Sequence, residues 1–216
     1  MVKAIVFDFD GVIVDSMDAH FRTWQRLAYF LGYELDPALK DQMRGKARPD
    51  SLQLVLEAGH IEASDDQKSF YAQMKDAWFK LEIEKMSRND VLPGVISLLE
   101  ELKNSDIKTA VASSSRNAGT ILNQLKMEDY FDVIVDATTI VNGKPDPAVF
   151  IETLSLLDNK AQDTVVIEDG ILGIVAAKKI GCYCIGVGPD KRLAEKADYH
   201  IEYLSNISLL EIQSLA

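Results

Sequence analysis

The sequence predicts an α/β fold: a doubly wound parallel sheet with a Rossmann-like core and an inserted α-helical cap domain. After residue 93, short apolar runs typical of buried strands alternate with helical patterns, as in parallel sheets covered by helices on both faces. Between the first apolar run, residues 4–7, and residue 86 we find only helical periodicity. We therefore predict that residues 1–15 and 87–216 form the core and residues 16–86 the cap.

Composition and charge narrow the classes of partner. The 216-residue chain is 47% hydrophobic and 26% charged, as in ordinary globular proteins, and has a formal net charge of -11. This charge argues against non-specific binding to nucleic acid or anionic membranes, so we expect neither partner. The first residues form a predicted strand rather than a signal peptide. The side chains of Cys182 and Cys184 would diverge on a strand, and two free thiols fit a reducing compartment. We expect a cytoplasmic monomer.

The predicted cap begins with two helices. The first has apolar residues at three- and four-residue spacing, and Gly32 would end it. Its apolar positions are Phe21, Trp24, Ala28 and Leu31. Asp36 followed by Pro37 is typical of an N-cap and a first helical residue, and predicts the start of the second helix.

Two more helices would complete the cap. The third would open at Asp50 or Ser51 and end at Gly59. The stretch from Ser64 to Gln67 has the form of a capping box and predicts a long fourth helix. The apolar positions of that helix are Phe70, Met74, Trp78 and Leu81.

In the core, the patterns predict strands and helices in alternation. The expected strands after the first cover residues 107–112, 133–135, 164–167 and 182–187. The expected helices follow Pro93-Gly94 and cover residues 117–126, 147–157 and 170–180.

Two carboxylates, Asp8 and Asp10, follow the first strand. On an extended chain they point the same way, and their charges repel unless a divalent cation such as Mg²⁺ neutralises them. An ionised aspartate beside such a cation can act as a nucleophile toward phosphorus. An ordinary Asp-Gly turn at Gly11 is the alternative, and this short pattern alone does not exclude it.

The second strand is followed by three serines, and ligands of such sheets bind beyond the carboxyl ends of the strands. Ser113, Ser114 and Ser115 precede Asn117 at a predicted helix start. Hydroxyl and free N–H groups there would bind a phosphate or, alternatively, cap the helix.

Two later strand ends carry charged residues. Lys144 follows the third strand and would either neutralise a phosphoryl oxygen or lie in a solvated turn. Glu168 and Asp169 follow the fourth and repeat the acid pair, which indicates metal binding. Helix capping by Asp169 is the alternative.

The order acid pair, serine, lysine, acid pair resembles the haloacid dehalogenase superfamily of aspartate-nucleophile phosphotransferases. The motifs stand here as Asp8-Phe9-Asp10-Gly11-Val12, Ser113, Lys144-Pro145 and Glu168-Asp169. The helical insert after the first motif resembles the cap of that superfamily's first class. The resemblance extends over essentially the whole chain.

This resemblance implies phosphoryl transfer through an aspartyl-phosphate, with Mg²⁺ as cofactor. It implies that Asp8 is the nucleophile and Asp10 the general acid and base. Lys144, Ser113 and Ser114 would stabilise the phosphoryl group. The candidate metal ligands are Asp8, Asp10 through its backbone carbonyl, Asp169 and Glu168.

The cap resembles that of the β-phosphoglucomutases. The matching residues are His20 and Trp24, Gly45 and Arg48 in a cap loop, and Lys75 in the last cap helix. That resemblance implies that Arg48, Ser115 and Asn117 bind a second, non-transferring phosphate and that Lys75 contacts the sugar.

Two residues of the cap loop depart from that family, and simpler interpretations of the cap remain. Ala47 stands where the family usually has Ser, and Lys46 where an apolar residue is common. Trp24 would serve as a core residue, His20 as a surface histidine, and Arg48 as a solvated charge. The same applies to Lys75.

Three functions fit the sequence. A sugar-phosphate mutase, which we favour, would interconvert β-glucose 1-phosphate and glucose 6-phosphate through a 1,6-bisphosphate. A Mg²⁺-dependent phosphatase acting on a sugar phosphate or another small metabolite is the second. The intact set of Asp8, Asp10, Lys144 and Asp169 argues against the third, a binding protein without catalysis.

Overall fold

The computed structural model describes residues 1–44 and 46–215 and confirms the predicted fold class. Its strands are β1 Ala4–Phe7, β2 Lys108–Ala112, β3 Val133–Val135, β4 Thr164–Glu168, β5 Tyr183–Val187 and β6 Tyr199–Ile201. They form one parallel sheet in the order β3-β2-β1-β4-β5-β6. Because β1 lies between β2 and β4, the carboxyl ends of these strands bring the polar residues after them to one edge.

The helices account for the remaining architecture. Their bounds are α1 Met17–Phe30, α2 Leu39–Met43, α3 Arg48–Ala58, α4 Asp65–Ile83, α5 Val95–Lys103, α6 Ala118–Leu125, α7 Ala148–Leu157, α8 Ile171–Lys179 and α9 Leu209–Leu215. Alternate residues of β1 face opposite sides of the sheet. Ile5 and Phe7 belong to the cluster with α5, α6 and α9, and Ala4 and Val6 to the cluster with α7 and α8. Both faces are therefore covered. No helix in the described ranges is long and apolar enough to cross a membrane.

Helices α1 to α4 have a hydrophobic cluster of their own. Trp24 is only 3% exposed and packs there with Leu27, Val55 and Leu56. The predicted capping box at α4 is confirmed, since the Ser64 hydroxyl accepts from the Gln67 N–H and the Gln67 side chain accepts from the Ser64 N–H. The cap helices thus form a compact unit.

The predicted apolar face of α4 is confirmed only in part, at Met74 and Trp78, which pack partly buried against the cap cluster. Phe70 and Leu81 are 55% and 50% exposed. The buried positions are Lys75, Phe79 and Ile83, which follow the four-residue spacing of one helix face. The pattern of apolar residues did not indicate this face, because Lys75 is one of its buried residues.

Several boundaries and elements also differ from the sequence prediction. α3 begins at Arg48, with Pro49 in its first turn, rather than at Asp50 or Ser51. α2 begins at Leu39, although the Asp36 carboxylate does accept from the Ala38 N–H. β6 and α9 were not predicted, because each is short and β6 is a half-exposed edge strand.

Two chain segments connect the cap to the core, and they lie side by side. Val14 forms an antiparallel bridge with Val91, and the Asp15 N–H donates to the carbonyl of Asp90 over 3.2 Å. The predicted boundaries of the cap, between residues 15 and 16 and between residues 86 and 87, stay predictions.

Candidate active site

A cavity of about 190 Å³ lies between the cap and the carboxyl edge of the sheet. Ten of the predicted site residues line it: Asp8, Asp10, His20, Arg48, Lys75, Ser113, Ser114, Ser115, Asn117 and Lys144. Glu168 and Asp169 adjoin Asp8 but are not part of the cavity wall. Gly45 lies outside the described residues. The structure therefore brings together residues that are far apart in sequence.

Lys144 is the buried cation at the core end of the cavity. Its Nζ donates to Asp8 Oδ1 over 2.5 Å and to Glu168 Oε2 over 2.8 Å. Burial alone would lower the pKa of Lys144, but Asp8 and Glu168 outweigh it and hold that pKa above its usual value. The ammonium group is therefore charged at neutral pH and fixed beside Asp8, which excludes the solvated-turn alternative.

Three buried carboxylates adjoin this lysine. Asp8, Glu168 and Asp169 each offer an oxygen atom within 4.8 Å of the others. Burial and the charge of Asp8 raise the pKa of Glu168 to about 8 and that of Asp169 to about 6. Oδ1 of Asp169 is buried and has no hydrogen-bond partner among the residues that the structure describes. A divalent cation would satisfy that oxygen and offset the repulsion, so these residues fit Mg²⁺.

Two glycines make room for these acids. A Cβ at Gly11, whose φ is +93°, would lie 2.1 Å from Asp169 Oδ2. A Cβ at Gly173 in α8 would lie 2.1 Å from Glu168 Cδ. Any larger residue at either position would displace a carboxylate of the site.

Asp10 lies on the cavity wall between the core and the cap. The Ser16 hydroxyl donates a short hydrogen bond to its Oδ1, and His20 Nε2 is 4.0 Å from the same oxygen. Burial, reinforced by repulsion from Asp8 and Asp169, raises the pKa of Asp10 to about 7. A carboxyl group with such a pKa suits general acid and base chemistry near neutrality.

Lys75, which is buried, and His20, which is partly exposed, form a pair in the cap. Lys75 Nζ lies 2.7 Å from His20 Nδ1, and the His20 ring stacks on Phe79. Burial and the charge of Lys75 hold the pKa of His20 well below its usual value. A neutral ring that accepts from Lys75 at Nδ1 would carry its proton on Nε2, the nitrogen nearer Asp10.

The serine loop after β2 faces the same cavity. The Ser113 hydroxyl accepts from the Ser115 N–H over 3.0 Å, and the Ser115 hydroxyl accepts from the Asn117 N–H over 3.2 Å. Within the described ranges the buried Ser114 hydroxyl has no partner. Both bonds lie within the loop and reach no N–H group of α6, so they are not helix caps, and the Ser114 hydroxyl is left as a donor for a phosphate.

Two contacts at the site were not predicted. Arg44 Nη1 donates to Asp169 Oδ2 over 2.6 Å, and Arg48 Nη2 donates to Asp76 Oδ1 over 2.7 Å. Neither Arg44 nor Asp76 was among the predicted site residues, and Asp76 has no motif around it. The sequence signal that could have indicated Asp76 is its position next to Lys75 on a predicted helix.

A family model described as haloacid dehalogenase-like hydrolase matches residues 5–187, which is more than half of the chain. The chain belongs to this family. The resemblance found in the sequence motifs is thereby confirmed, and the protein is a haloacid dehalogenase-like enzyme of the phosphatase and phosphotransferase type.

Several relatives are named for sugar-phosphate chemistry. The chain is 37% identical to beta-phosphoglucomutase of Bacillus subtilis over 210 residues, covering 96% of this chain and 92% of that protein. It is 32% identical to the phosphorylated carbohydrates phosphatase of Thermotoga maritima, covering 83% and 82%. The crystal structure of beta-phosphoglucomutase from Clostridium difficile superposes with a TM-score of 0.94 at 33% identity, covering 100% of this chain and 97% of that one.

Proposed function

We propose that the protein is a sugar-phosphate mutase that interconverts β-glucose 1-phosphate and glucose 6-phosphate through a 1,6-bisphosphate. The observation that carries this proposal is the presence of cations at two places on one cavity wall. Lys144 lies beside Asp8, and at the other place Arg48 of the cap and Asn117 of the core both donate to Asp76. A bisphosphate needs a partner for each phosphate. The two beta-phosphoglucomutase relatives support the choice of sugar.

The proposed reaction begins with a phosphoryl group on Asp8. The C6 hydroxyl of β-glucose 1-phosphate attacks that phosphorus, Asp10 takes the hydroxyl proton, and the bond from phosphorus to the Asp8 oxygen breaks. The resulting bisphosphate turns over in the cavity. Asp8 then attacks the phosphorus at C1, and Asp10 returns the proton to the departing sugar oxygen. Glucose 6-phosphate leaves and Asp8 is again phosphorylated.

The other residues bind and orient the substrate. Lys144, Ser113 and Ser114 would hold the transferring phosphoryl group, and Arg48 with Ser115 and Asn117 the other phosphate. Lys75 and His20 would contact the sugar between them. Asp8, Asp169 and the Asp10 carbonyl would hold Mg²⁺, with Glu168 as a further candidate ligand, and the metal would neutralise charge on the phosphoryl oxygens.

A phosphatase acting on sugar phosphates is the second candidate function. It is supported by the phosphatase from Thermotoga maritima among the relatives, at 32% identity. In that case water instead of a sugar hydroxyl would attack phospho-Asp8, with Asp10 again taking the proton. The two candidates use the same residues and differ in the acceptor.

Product analysis separates the two functions. The protein is incubated with β-glucose 1-phosphate, Mg²⁺ and a trace of glucose 1,6-bisphosphate. We expect glucose 6-phosphate to accumulate, whereas free phosphate without an isomer would support the phosphatase. Size-exclusion chromatography and cell fractionation would check the accompanying proposal of a cytoplasmic monomer.

A further inference from the structure

Asp76 in α4 connects the cap to the core at the Arg48 side of the cavity. Its Oδ1 accepts a hydrogen bond from Arg48 Nη2 over 2.7 Å and another from Asn117 Nδ2 over 3.2 Å. Arg48 is the first residue of α3 in the cap, and Asn117 directly precedes α6 in the core. Oδ1 of Asp76 in α4 therefore links the side chain at the start of α3 to the side chain that precedes α6.

The arrangement places Asp76 beside the cavity and not on its wall. Of the described residues, Arg48 and Asn117 line the cavity and Asp76 does not. A guanidinium has five N–H donors, so the bond from Nη2 leaves others for a ligand. The Asn117 side chain makes no capping bond to α6, although asparagine is a favoured N-cap residue. Its amide is directed to Asp76 instead.

The surroundings of Asp76 favour its charged form. Burial would raise its pKa, but Asn117, Arg48 and Lys80 outweigh that effect and keep it below its usual value. Lys80 Nζ lies 3.5 Å from the other oxygen, Oδ2. Both oxygens therefore have a polar neighbour, which restricts the carboxylate to one orientation.

We propose that Asp76 is a positioning residue that assembles the second phosphate site. It holds the Arg48 guanidinium and the Asn117 amide side by side, and it does so only when the cap lies against the core. Closure of the cap and formation of the second site are then one event. This inference rests on the proposed function, because it takes Arg48 and Asn117 as the ligands of the non-transferring phosphate.

A double-mutant cycle tests the inference. Binding of glucose 6-phosphate in the presence of Mg²⁺ is measured by calorimetry for the wild type, Asp76→Ala, Arg48→Ala and the double variant. We expect Asp76→Ala to weaken binding about tenfold or more, as for a lost hydrogen bond to a charged group. In the Arg48→Ala background, the same change should have little further effect. Additive losses, or tighter binding by Asp76→Ala, would overturn the proposal.

Two controls separate positioning from general damage. Hydrolysis of acetyl phosphate, which occupies only the Asp8 end, should change less than about threefold in Asp76→Ala, and an equal loss on both substrates would contradict the inference. Glu84→Ala removes an exposed acid at the end of the same helix and should bind glucose 6-phosphate normally. Asp76→Asn, which keeps an acceptor oxygen without the charge, should lie between wild type and Asp76→Ala, and it replaces that variant if the latter does not fold.

A ligand-free cycle distinguishes failure of this inference from failure of the proposed function. Unfolding free energies of Asp76→Ala, Asn117→Ala and the double variant are compared. A non-additive result is expected, because the two side chains are in direct contact between cap and core. If the wild type hydrolyses acetyl phosphate but does not bind glucose 6-phosphate, the sugar-phosphate function fails. Additivity in the unfolding cycle rejects the Asp76 link in either case.

Discussion

Arg44 in the cap donates a hydrogen bond from Nη1 to Oδ2 of Asp169 in the core, over 2.6 Å. Asp169 is only 6% exposed and belongs to the three-carboxylate cluster that fits a divalent cation. A divalent cation bound by this cluster would therefore compete with the guanidinium for the negative charge of the Asp169 carboxylate.

The first prediction follows from this competition. Arg44→Ala should bind Mg²⁺ more tightly than the wild type, by about two- to tenfold, because an ion pair whose arginine is 38% exposed is worth roughly 1 kcal/mol. Calorimetric titration with Mg²⁺ measures the change. Lys46→Ala is the matched control, since it removes a nearby cap-loop charge. Equal tightening in both variants would assign the effect to general charge and not to the contact with Asp169.

The second prediction concerns Asp8 as nucleophile. In Asp8→Asn, Lys144 keeps its hydrogen bond to Glu168, so the protein should still fold. Turnover should fall by at least about 10³-fold, because an amide cannot form the acyl phosphate. Steady-state kinetics measure the loss, and mass spectrometry of trapped wild-type enzyme should place the phosphoryl group on Asp8. An Asn variant with substantial activity contradicts this mechanism.

The third prediction uses the space that Gly173 leaves for Glu168. In Gly173→Ala, the new Cβ would lie 2.1 Å from Glu168 Cδ, so the carboxylate must move and Lys144 loses a partner. We expect a loss of about 1–3 kcal/mol in unfolding free energy together with reduced turnover. Gly119→Ala in α6 is the control, since nothing lies within 4 Å of its Cβ position. If both variants behave alike, the close packing of Gly173 is unimportant.

Much of the fold was predictable because it depends on local patterns. The apolar run of β1 and the strand–helix alternation gave the parallel sheet, and the capping box gave the start of α4 at Asp65. The predicted apolar face of α4 was only partly right, because Met74 and Trp78 pack partly buried against the cap cluster while Lys75, Phe79 and Ile83 form the buried positions. No periodicity of apolar residues indicates a buried lysine.

The site was predictable only in part, for a similar reason. Asp8, Lys144 and the serine loop follow strands, so topology alone brings them to one edge. The contacts of Arg44 with Asp169 and of Asp76 with Asn117 depend on how the cap packs against the core. No short sequence motif predicts that packing. The roles of the predicted site residues stay predictions until variants are measured.

The last prediction concerns the charge of Lys75. Burial, and then the charge of Arg48, lower the pKa of Lys75 from 10.5 to about 7. Between these two values the unfolded chain binds more protons at this position than the folded protein. Stability must therefore rise with pH through this window, and the cost of burying the ammonium group is fully present below about pH 7.

Lys75→Met removes this titration while keeping a side chain of similar length. The unfolding free energy of the wild type relative to Lys75→Met should rise by up to about 1.4 kcal/mol per pH unit between pH 7 and 10. Denaturant titrations at several pH values measure it. Lys80→Met, which changes a lysine that is 60% exposed on the same helix, is the control for removal of a positive charge from α4. A flat profile for Lys75→Met would mean that Lys75 stays charged in the folded protein, held by partners such as His20 and Asp10.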